Sequence, residues 1–399
     1  MTGGLGVIPE PTVKVRMREN QRVAVAPFAQ LTLFQGFSAS AATAFSTPGC
    51  NTKSRSRVLK MNQVLSAEAA MARAIECARL GLGKTSPNPI VGAVITSATG
   101  EFISEGFHSG TEHAEVIAIA AAKEIPAGSI IYVTLEPCNH QGKTPPCTQA
   151  LIDAGITKVF YSVTDPNPIA AGGAEKLRNS GIEVVAGLLE SEAAFVNRAW
   201  LTKIAKHRPR ITWKIASTMD GKVAAADGSS KWITSELARA DVALLRSEAD
   251  AIVTSTATVK ADNPLLTSKG TGKNPVRIVM GETEISPDSQ VLNSDAETVV
   301  IKSHNFQELI SLSNQGGFNQ ILVESGPTFG TALLKADLVD EIVLFQAPTF
   351  FGSGTPSISD LGINSISQRL DFDIADVEII GADLKITLVK SDANNGSGR

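Results

Sequence analysis

The chain is poor in the residues and patterns that mark several large classes of protein. Its 399 residues contain only four cysteines, too few for a disulfide framework, which is typical of a reducing compartment. No apolar run is long enough to cross a bilayer. The formal net charge is −4, without the basic excess of nucleic-acid-binding proteins. We therefore expect neither a membrane nor a nucleic acid as partner, and the length favours two domains plus extensions.

Residues 1–60 differ from the rest of the chain in being poor in acidic side chains. Glu10 and Glu19 are the only ones, against eight Lys or Arg, and Ser, Thr and Ala are abundant from Ser38 to Thr47. This composition is typical of an organelle transit peptide, and we interpret it as a plastid leader. The alternatives are a disordered tail, or a true start at Met61 and a cytoplasmic protein.

Histidine is also scarce, yet most of it falls in one window of the sequence. Three of the five histidines are His108, His113 and His140. His113 is followed by Glu115 and, farther along, by Cys138 and Cys147. One imidazole and two thiols leave the fourth position of a tetrahedral Zn²⁺ open for water, whose pKa the metal lowers toward neutrality. With Glu115 as proton shuttle, this is the layout of zinc nucleobase deaminases.

The spacing of the two cysteines departs from the usual deaminase signature, which closes with C-x-x-C. Residues 139–146 separate Cys138 from Cys147. A closed structural zinc site with His140 as fourth ligand is one alternative, and two inert buried cysteines are another. A structural site has no use for Glu115 beside the first ligand, which favours the catalytic interpretation.

Hydrophobic periodicity predicts an α/β three-layer sandwich around this cluster. We expect helices at 66–82, 114–123, 148–154 and 174–179, and strands at 90–95, 102–106, 130–135, 159–163 and 182–185. His113 and Glu115 would lie at the first turn of the second helix, and Cys147 directly before the third. A helix N-terminus stabilises a carboxylate and holds ligands rigidly.

The pattern breaks at 201–209, where basic and polar residues precede a proline, and a second α/β unit follows. We expect strands at 211–215, 251–254, 276–280, 298–301, 321–323 and 341–345, and helices at 235–247 and 331–335. No G-x-G-x-x-G follows any of these strands, so a standard Rossmann fingerprint is absent. The predicted domains are 61–205 and 206–391, followed by a disordered tail at 392–399.

Longer motifs carry a family resemblance. They are Thr85–Gly92, His113–Val116, Thr134–Cys147, Asp165–Pro168, Met219–Lys222, Ser230–Thr234, Asp262–Pro264 and Val339–Glu341. From about Ser66 to about Val389, the chain resembles the bifunctional deaminase–reductases of riboflavin biosynthesis. The resemblance implies a cytidine-deaminase-like domain followed by a dihydrofolate-reductase-like domain, zinc and NADPH as cofactors, and a homo-oligomer. The first domain would hydrolyse the 2-amino group of 2,5-diamino-6-ribosylamino-4(3H)-pyrimidinone 5′-phosphate, and the second would reduce the ribosyl group to ribityl.

The resemblance also implies the residues that hold the substrate of the deaminase. They are Asn88, His108, His140, Lys143 and Asn167. Lys143 is suited to the phosphate as a compact positive charge, and Asn88 to the edge of a pyrimidinone. Each has a plainer interpretation, as a loop lysine, a turn-forming asparagine or a strand-end histidine.

For the second domain, the family's positions are assigned by the same comparison of motifs. Cofactor positions are Ala216, Trp232, Thr258, Asp262, Gly326, Pro327 and Thr328. Substrate positions are Ser230, Arg246, Leu266, Lys269 and Glu324. The glycine turn before a helix suits a dinucleotide phosphate, although Trp232 as core and Asp262 as turn chemistry are alternatives.

Three positions depart from the family pattern. Lys269 stands where the family has Arg, which keeps the charge but loses the bidentate fork. Gly281 replaces an Asp common in the family, and the stretch from His108 to His113 is shorter than usual. The departures leave open a deaminase whose second half serves only as a support or dimerisation module. More distant alternatives are a nucleic-acid-editing deaminase related to tRNA adenosine deaminases and a non-catalytic, zinc-stabilised scaffold.

Overall fold

The computed structural model describes residues 64–141 and 145–391, together with the backbone of one short strand, Val15–Met17. These residues form two α/β units, each built around its own sheet. No helix in this part of the chain is long and apolar enough to span a bilayer. The rest of the predicted leader and the predicted disordered tail at 392–399 lie outside the described residues.

The first unit is a five-stranded sheet with helices on both faces. In chain order, counting the N-terminal strand as β1, its elements are β1 (Val15–Met17), α1 (Ala67–Arg79), β2 (Gly92–Thr96), β3 (Phe102–Phe107), α2 (Ala114–Ala121), β4 (Ile130–Leu135), α3 (Cys147–Asp153), β5 (Lys158–Val163), α4 (Gly173–Asn179), β6 (Glu183–Ala186), α5 (Glu190–Val196) and α6 (Arg198–Lys206). The strand order is β3-β2-β4-β5-β6, with β4 to β6 parallel and β2 antiparallel to its neighbours. The strand β1 belongs to the second sheet.

Two glycines let helices pack directly on opposite faces of the first sheet. A Cβ on Gly92 would lie 2.0 Å from the Ala74 carbonyl oxygen of α1, and one on Gly106 would lie 2.4 Å from the Ala114 carbonyl oxygen of α2. Gly106 pairs with Ala93, the residue after Gly92. Because successive residues of a strand point to opposite faces, α1 and α2 cover opposite faces. The predicted three-layer sandwich is confirmed.

The second unit contains nine strands in one sheet and a small two-stranded ribbon. Its elements are β7 (Arg210–Thr218), β8 (Lys222–Ala224), α7 (Glu236–Glu248), β9 (Ala251–Ser255), α8 (Thr256–Asp262), β10 (Val276–Met280), β11 (Thr298–Ile301), α9 (Phe306–Gln315), β12 (Gln320–Val323), α10 (Pro327–Lys335), β13 (Glu341–Ala347), β14 (Thr355–Pro356), β15 (Phe372–Ile380) and β16 (Asp383–Lys390). The order is β1-β15-β16-β13-β7-β12-β9-β10-β11. From β13 to β11 all neighbours are parallel, so their carboxyl ends meet at one edge, where ligands bind in open α/β sheets.

The predicted break at 201–209 is wrong, because α6 continues through this region to Lys206. Trp200 and Ile204, four residues apart, pack into the core of the first unit. Lys206, one of the basic residues that suggest a linker, pairs with Asp340 at 2.7 Å. Helices α8 and α9 and the hairpin β15–β16 also lie outside the predicted elements. The boundary at 205/206 stays a prediction.

A buried ion-pair network joins α6 and the residues after it to the start of β13. The Glu341 carboxylate, about 1% exposed, accepts hydrogen bonds from Arg198 at 2.7 Å and Arg210 at 3.0 Å. Burial alone would raise the pKa of Glu341, but the two guanidinium groups hold it at about 2. Arg208 and Lys206 bind Asp340 in the same way. The Asp340-Glu341 motif therefore has a structural role, fastening the two units together.

Candidate active sites

The structure brings the three predicted metal ligands together at the ends of secondary-structure elements. His113 directly precedes α2, Cys138 follows β4, and Cys147 is the first residue of α3. Their ligand atoms all lie within 4.8 Å of one another. The His113 Nδ1 is 3.1 Å from the Cys147 Sγ and 3.5 Å from the Cys138 Sγ. The nitrogen is therefore already turned toward both sulfurs.

This donor set fits a zinc ion with one open coordination position. One nitrogen and two sulfurs converge, and within residues 64–141 and 145–391 no further His, Cys, Asp or Glu joins the group. His140 is not a member, which disfavours the closed structural site. The hydrogen bond from Cys147 holds the pKa of the Cys138 thiol well below its usual range. A thiolate, the form that binds metal, is thus favoured at Cys138.

Glu115 lies in the first turn of α2, two residues after His113, and is about 3% exposed. Its carboxyl group interacts with the Cys147 thiol. Burial raises the pKa of Glu115 to about 7, near the value best suited to proton transfer at neutral pH. A bound cation would draw this pKa down again. The side chain is therefore beside the ligand cluster and able to exchange protons.

A pocket of about 290 Å³ opens over this cluster. Four predicted substrate residues line it, namely Asn88, His108, His140 and Asn167. The fifth, Lys143, lies outside the described residues. The His140 Nδ1 is buried without a hydrogen-bond partner among the described residues, so it is free to meet a ligand in the pocket.

Asn88 and His108 are bonded to each other across the pocket wall. The Asn88 Nδ2 lies 3.3 Å from the His108 Nε2. His108 is buried, and burial, with the neighbouring His113, lowers its pKa to about 4. The neutral imidazole can therefore accept a hydrogen bond from the Asn88 amide. The shortened stretch before His113 does not remove His108 from the pocket.

The pocket lining also contains residues that are absent from the sequence prediction, and three of them stand out. Trp200 and Ile204 of α6 form an apolar part of the wall, and Asp165 a polar part. The spacing of Trp200 and Ile204 places both on one helix face, but the basic residues around them suggest a linker. Asp165 lies in the same motif as Asn167, and its carboxylate accepts the Asn167 backbone N–H at 2.8 Å.

A second candidate site lies at the carboxyl edge of the second sheet. Ala216 is near the end of β7, Thr258 is in α8 directly after β9, and Glu324 and Gly326 follow β12. Thr258 Oγ1 lies 3.1 Å from Ser325 Oγ and accepts the Gly326 N–H at 3.2 Å. This hydroxyl contact ties the start of α8 to the start of α10.

The start of α10 fits a phosphate of a dinucleotide. Gly326 is exposed and has no side-chain cap, and Pro327 is the first residue of the helix. The remaining N–H groups of the first turn, including that of Thr328, have no partner within the helix. A helix N-terminus with free N–H groups binds anions, so the predicted positions Gly326 to Thr328 are suitably placed for NADPH.

Arg246 and Glu324 are joined to each other by a buried, bidentate ion pair. The Arg246 Nε and Nη2 donate to the two Glu324 oxygens at 2.5 and 2.9 Å, and Lys214 Nζ lies 3.6 Å from the same carboxylate. Burial alone would raise the pKa of Glu324, but Arg246 and Lys214 hold it at about 2. Glu324 is therefore a fixed carboxylate at the sheet edge.

The remaining predicted positions are more scattered. Trp232 is about 68% exposed, with the Arg239 guanidinium 4.7 Å from its ring centroid, so it is not core. Asp262 ends α8 and is exposed, as is Lys269, while Ser230 is half-buried. The Leu266 side chain packs into a hydrophobic cluster with Ile252 and Leu322. Burial there favours a core role for the Leu266 side chain.

Gly281 is explained by its position at the end of β10. Its φ is +137°, and a Cβ would lie 2.4 Å from the Thr256 Oγ1. An L side chain rarely adopts this backbone conformation. In this chain the start of α8 therefore occupies the space that a side chain at position 281 would need.

Comparison with known proteins assigns both units. Residues 65–163 match the cytidine and deoxycytidylate deaminase zinc-binding region, and residues 209–386 match the RibD C-terminal domain. The chain is 42% identical over 340 residues to the riboflavin biosynthesis protein RibD of Mycobacterium tuberculosis, covering 83% of this chain and 99% of the relative. It is 38% identical over 363 residues to RibD of Escherichia coli, covering 81% and 99%.

Solved structures give the same match. The diaminohydroxyphosphoribosylaminopyrimidine deaminase/5-amino-6-(5-phosphoribosylamino)uracil reductase of Thermotoga maritima is 34% identical and superposes with a TM-score of 0.75 over 82% of this chain and 99% of its own. Acinetobacter baumannii RibD, in its first form, is also 34% identical, with a TM-score of 0.73 over 82% and 99%. In both, the similarity spans the two units together.

Proposed function

The chain belongs to the RibD family of riboflavin biosynthesis proteins, and on this premise we propose which of its side chains carry each reaction. It is an enzyme with a zinc-dependent deaminase domain and an NADPH-dependent reductase domain. A deaminase with a merely supportive second half is not favoured, because the match to the RibD C-terminal domain extends over residues 209–386.

The proposed substrate of the first step is 2,5-diamino-6-ribosylamino-4(3H)-pyrimidinone 5′-phosphate. His113, Cys138 and Cys147 would hold zinc, which supplies a water activated near neutral pH when bound. The Glu115 carboxylate would accept one proton from the attacking water and pass it to the ring nitrogen. It would then take the second proton, from the hydroxyl group now attached to the ring carbon, and deliver it to the departing amine, so that the ring carbonyl forms and ammonia leaves. The convergence of the three ligands beside a buried Glu115 is the observation that carries this proposal.

We assign the orientation of the substrate to the pocket wall. The Asn88 and Asn167 amides would pair with the pyrimidinone edge, and His108, held neutral by burial, would accept or donate there. His140, whose Nδ1 is buried without a partner in the described part of the chain, would bind the ring or the phosphate. Lys143 would meet the phosphate from the loop outside the described residues.

For the second step, the assignment follows the carboxyl edge of the second sheet. NADPH would lie across Ala216, Trp232, Thr258, Asp262 and the Gly326-Pro327-Thr328 turn. It supplies the hydride when bound. Ser230, Arg246, Leu266, Lys269 and Glu324 would hold the deaminated intermediate. Leu266 would do so through its backbone, since its side chain is buried.

An assay of purified protein on the diaminopyrimidinone nucleotide, with and without NADPH, tests this function. We expect the deaminated intermediate and ammonia to accumulate without NADPH, and the ribityl product to form with it. NADPH consumption should equal the product formed. Deamination without any NADPH consumption, at any level of intermediate, would contradict the proposed reductase step and leave the deaminase step standing.

We also propose that the acid-poor N-terminal segment directs the chain to a plastid and that the enzyme is a homo-oligomer. The first proposal is supported by the composition of residues 1–60, and the second by family resemblance alone. A fluorescent fusion with and without residues 1–60 tests the first, and light scattering of the purified chain tests the second. A full-length fusion that stays in the cytosol would contradict the first proposal. A monomer in solution would contradict the second.

A further inference from the structure

The pocket segment that carries Asn88 is held in place by the other domain. The Ser86 hydroxyl donates to the Asp250 carboxylate at 2.9 Å, and the Asn319 side-chain amide donates to the Asn88 carbonyl oxygen at 3.2 Å. Gly317 lies against Pro87 of the same segment. Residues of the reductase domain thus contact three consecutive residues, Ser86 to Asn88, at the mouth of the deaminase pocket.

The two anchoring side chains are themselves fixed. The Asp250 Oδ2, which accepts from Ser86, also accepts the backbone N–H groups of Asn319 and Gln320 at 2.8 and 3.0 Å. Asn319 is about 5% exposed, and its carbonyl oxygen accepts the Arg210 N–H at 2.8 Å. Asp250 and Asn319 therefore form a rigid support rather than a pair of mobile surface groups.

The support lies at the far end of the second sheet from the proposed reductase site. Asp250 directly precedes β9 and Asn319 directly precedes β12, so both stand at the amino ends of parallel strands. Thr258 and Glu324 follow the carboxyl ends of the same two strands. A change at the amino ends is thus separated from the reductase chemistry by the length of the strands.

Within its own domain the segment is also held by hydrogen bonds. The Asn88 N–H closes a turn on the Thr85 carbonyl at 2.8 Å, and the Ile90 N–H donates to the Asn197 side chain at 2.9 Å. Beyond these, the Asn88 side chain meets His108 at 3.3 Å. The Asn88 backbone is therefore restrained from both domains, with its N–H bound to Thr85 and its carbonyl oxygen bound to Asn319.

We propose that Asp250 and Asn319 are positioning residues for deamination: they set the Asn88 amide, and through it His108, against the substrate. The proposal rests on the proposed role of Asn88 as a substrate contact. It gives the reductase domain a second task, as part of the support of the deaminase pocket. Loss of the support should weaken substrate binding more than it slows the chemical step, because zinc ligands and Glu115 are untouched.

The experiment uses the full-length, zinc-loaded enzyme with Ser86→Ala, Asn319→Ala and the double variant. Each single change should raise the KM for deamination about three- to tenfold, the worth of one net hydrogen bond, with kcat changed less. Zinc content and reductase activity on the deaminated intermediate should stay unchanged, and Tm should fall by no more than a few degrees. Asn314→Ala is the matched control, since the Asn314 amide donates at 3.0 Å to the carbonyl oxygen of His207, at the end of α6, and not to residues 86–88.

Asn88→Ala separates failure of this inference from failure of the proposed function. A raised KM for Asn88→Ala, together with a double variant that behaves like Asn314→Ala, overturns the positioning role alone. An unchanged KM for Asn88→Ala removes the proposed substrate contact and the positioning role with it. A double variant that loses both activities and unfolds at a lower temperature identifies a general stability contact, which also overturns the inference.

Discussion

The deaminase site gathers its reactive groups from two short stretches of chain, whereas the proposed reductase site is spread along the edge of a sheet. His113 and Glu115 share one helix start, and Cys138 and Cys147 flank one loop. In the second domain, Ala216, Thr258 and Glu324 come from three different strand ends. The first site is a converged, buried cluster, and the second is an open edge with exposed positions such as Trp232.

This difference follows from what each reaction requires of the protein. A tetrahedral metal site must fix its ligand atoms within a few tenths of an ångström, so its residues are few, polar and tied to rigid element starts. A dinucleotide is long, and it is bound largely through backbone N–H groups and surface shape. Because backbone contacts place little constraint on residue type, a dinucleotide site is harder to predict from the sequence than a metal site.

Glu115→Gln should have the largest effect, and it should affect only the deaminase site. Because the amide cannot accept and return a proton, we expect the deamination rate to fall by about 10²–10⁴-fold or more. Zinc content and reductase activity should remain, since His113, Cys138 and Cys147 are unchanged. Steady-state deamination kinetics with metal analysis of the same sample measure this. Wild-type deamination in a zinc-containing variant would exclude Glu115 as the proton shuttle.

In the reductase domain the largest expected effect comes from Arg246→Ala. Among the described residues, the cation that then remains beside the buried Glu324 carboxylate is Lys214, at 3.6 Å. Breaking a buried pair costs about 3–5 kcal/mol. We expect reductase activity and the free energy of unfolding of this domain to fall together, as measured by NADPH oxidation and denaturant titration.

Arg369→Ala is the matched control, because it removes an exposed pair with Asp371 whose side chains are 40% and 56% exposed. Such a pair is worth about 0–1 kcal/mol. Equal losses of stability in the two variants would show that the Arg246–Glu324 pair has no special role.

Acid should destabilise the junction between the domains at a defined pH. The folded pKa of Glu341 is about 2, below the ordinary value of 4.5, because Arg198 and Arg210 favour its charged form. Because the pKa is lower in the folded state, Glu341 adds on the order of 3 kcal/mol to the free energy of unfolding above pH 4.5. This contribution is lost as the pH falls toward 2. Denaturant unfolding between pH 7 and pH 2.5 measures the loss, and Glu341→Gln should make it smaller, while Glu324 and Asp340 keep their share. An unchanged slope in that variant would assign the acid response to other carboxyl groups.

The smallest expected effect is a gain from Lys269→Arg. The guanidinium restores the bidentate fork for a phosphate that the family pattern has at this position. We expect the KM for the deaminated intermediate to fall about two- to tenfold, equivalent to at most ~1.4 kcal/mol, with deamination unchanged. Lys269→Gln should move the KM in the opposite direction. If both variants match the wild type, Lys269 does not contact the substrate.

The sequence predicts the metal cluster of the first domain, but it does not predict the role of α6 or the contacts between the domains. The ligands and Glu115 lie within one window of the sequence and are chemically unusual, so their residue types predict the metal cluster that the structure brings together. The role of α6 is hidden, because basic residues such as Lys203 and Lys206 stand beside Trp200 and Ile204 and suggest a linker. The cross-domain support of Asn88 is hidden as well, since Asp250 and Asn319 lie far along the chain and no local pattern links them to it.

The most direct test of the account is X-ray absorption at the zinc edge of the purified enzyme. We predict one zinc per chain with two sulfur ligands at ~2.3 Å and nitrogen or oxygen ligands at ~2.0–2.1 Å, and loss of one sulfur in Cys147→Ala. A metal-free active deaminase, or a zinc without sulfur ligands, would contradict the assignment of His113, Cys138 and Cys147.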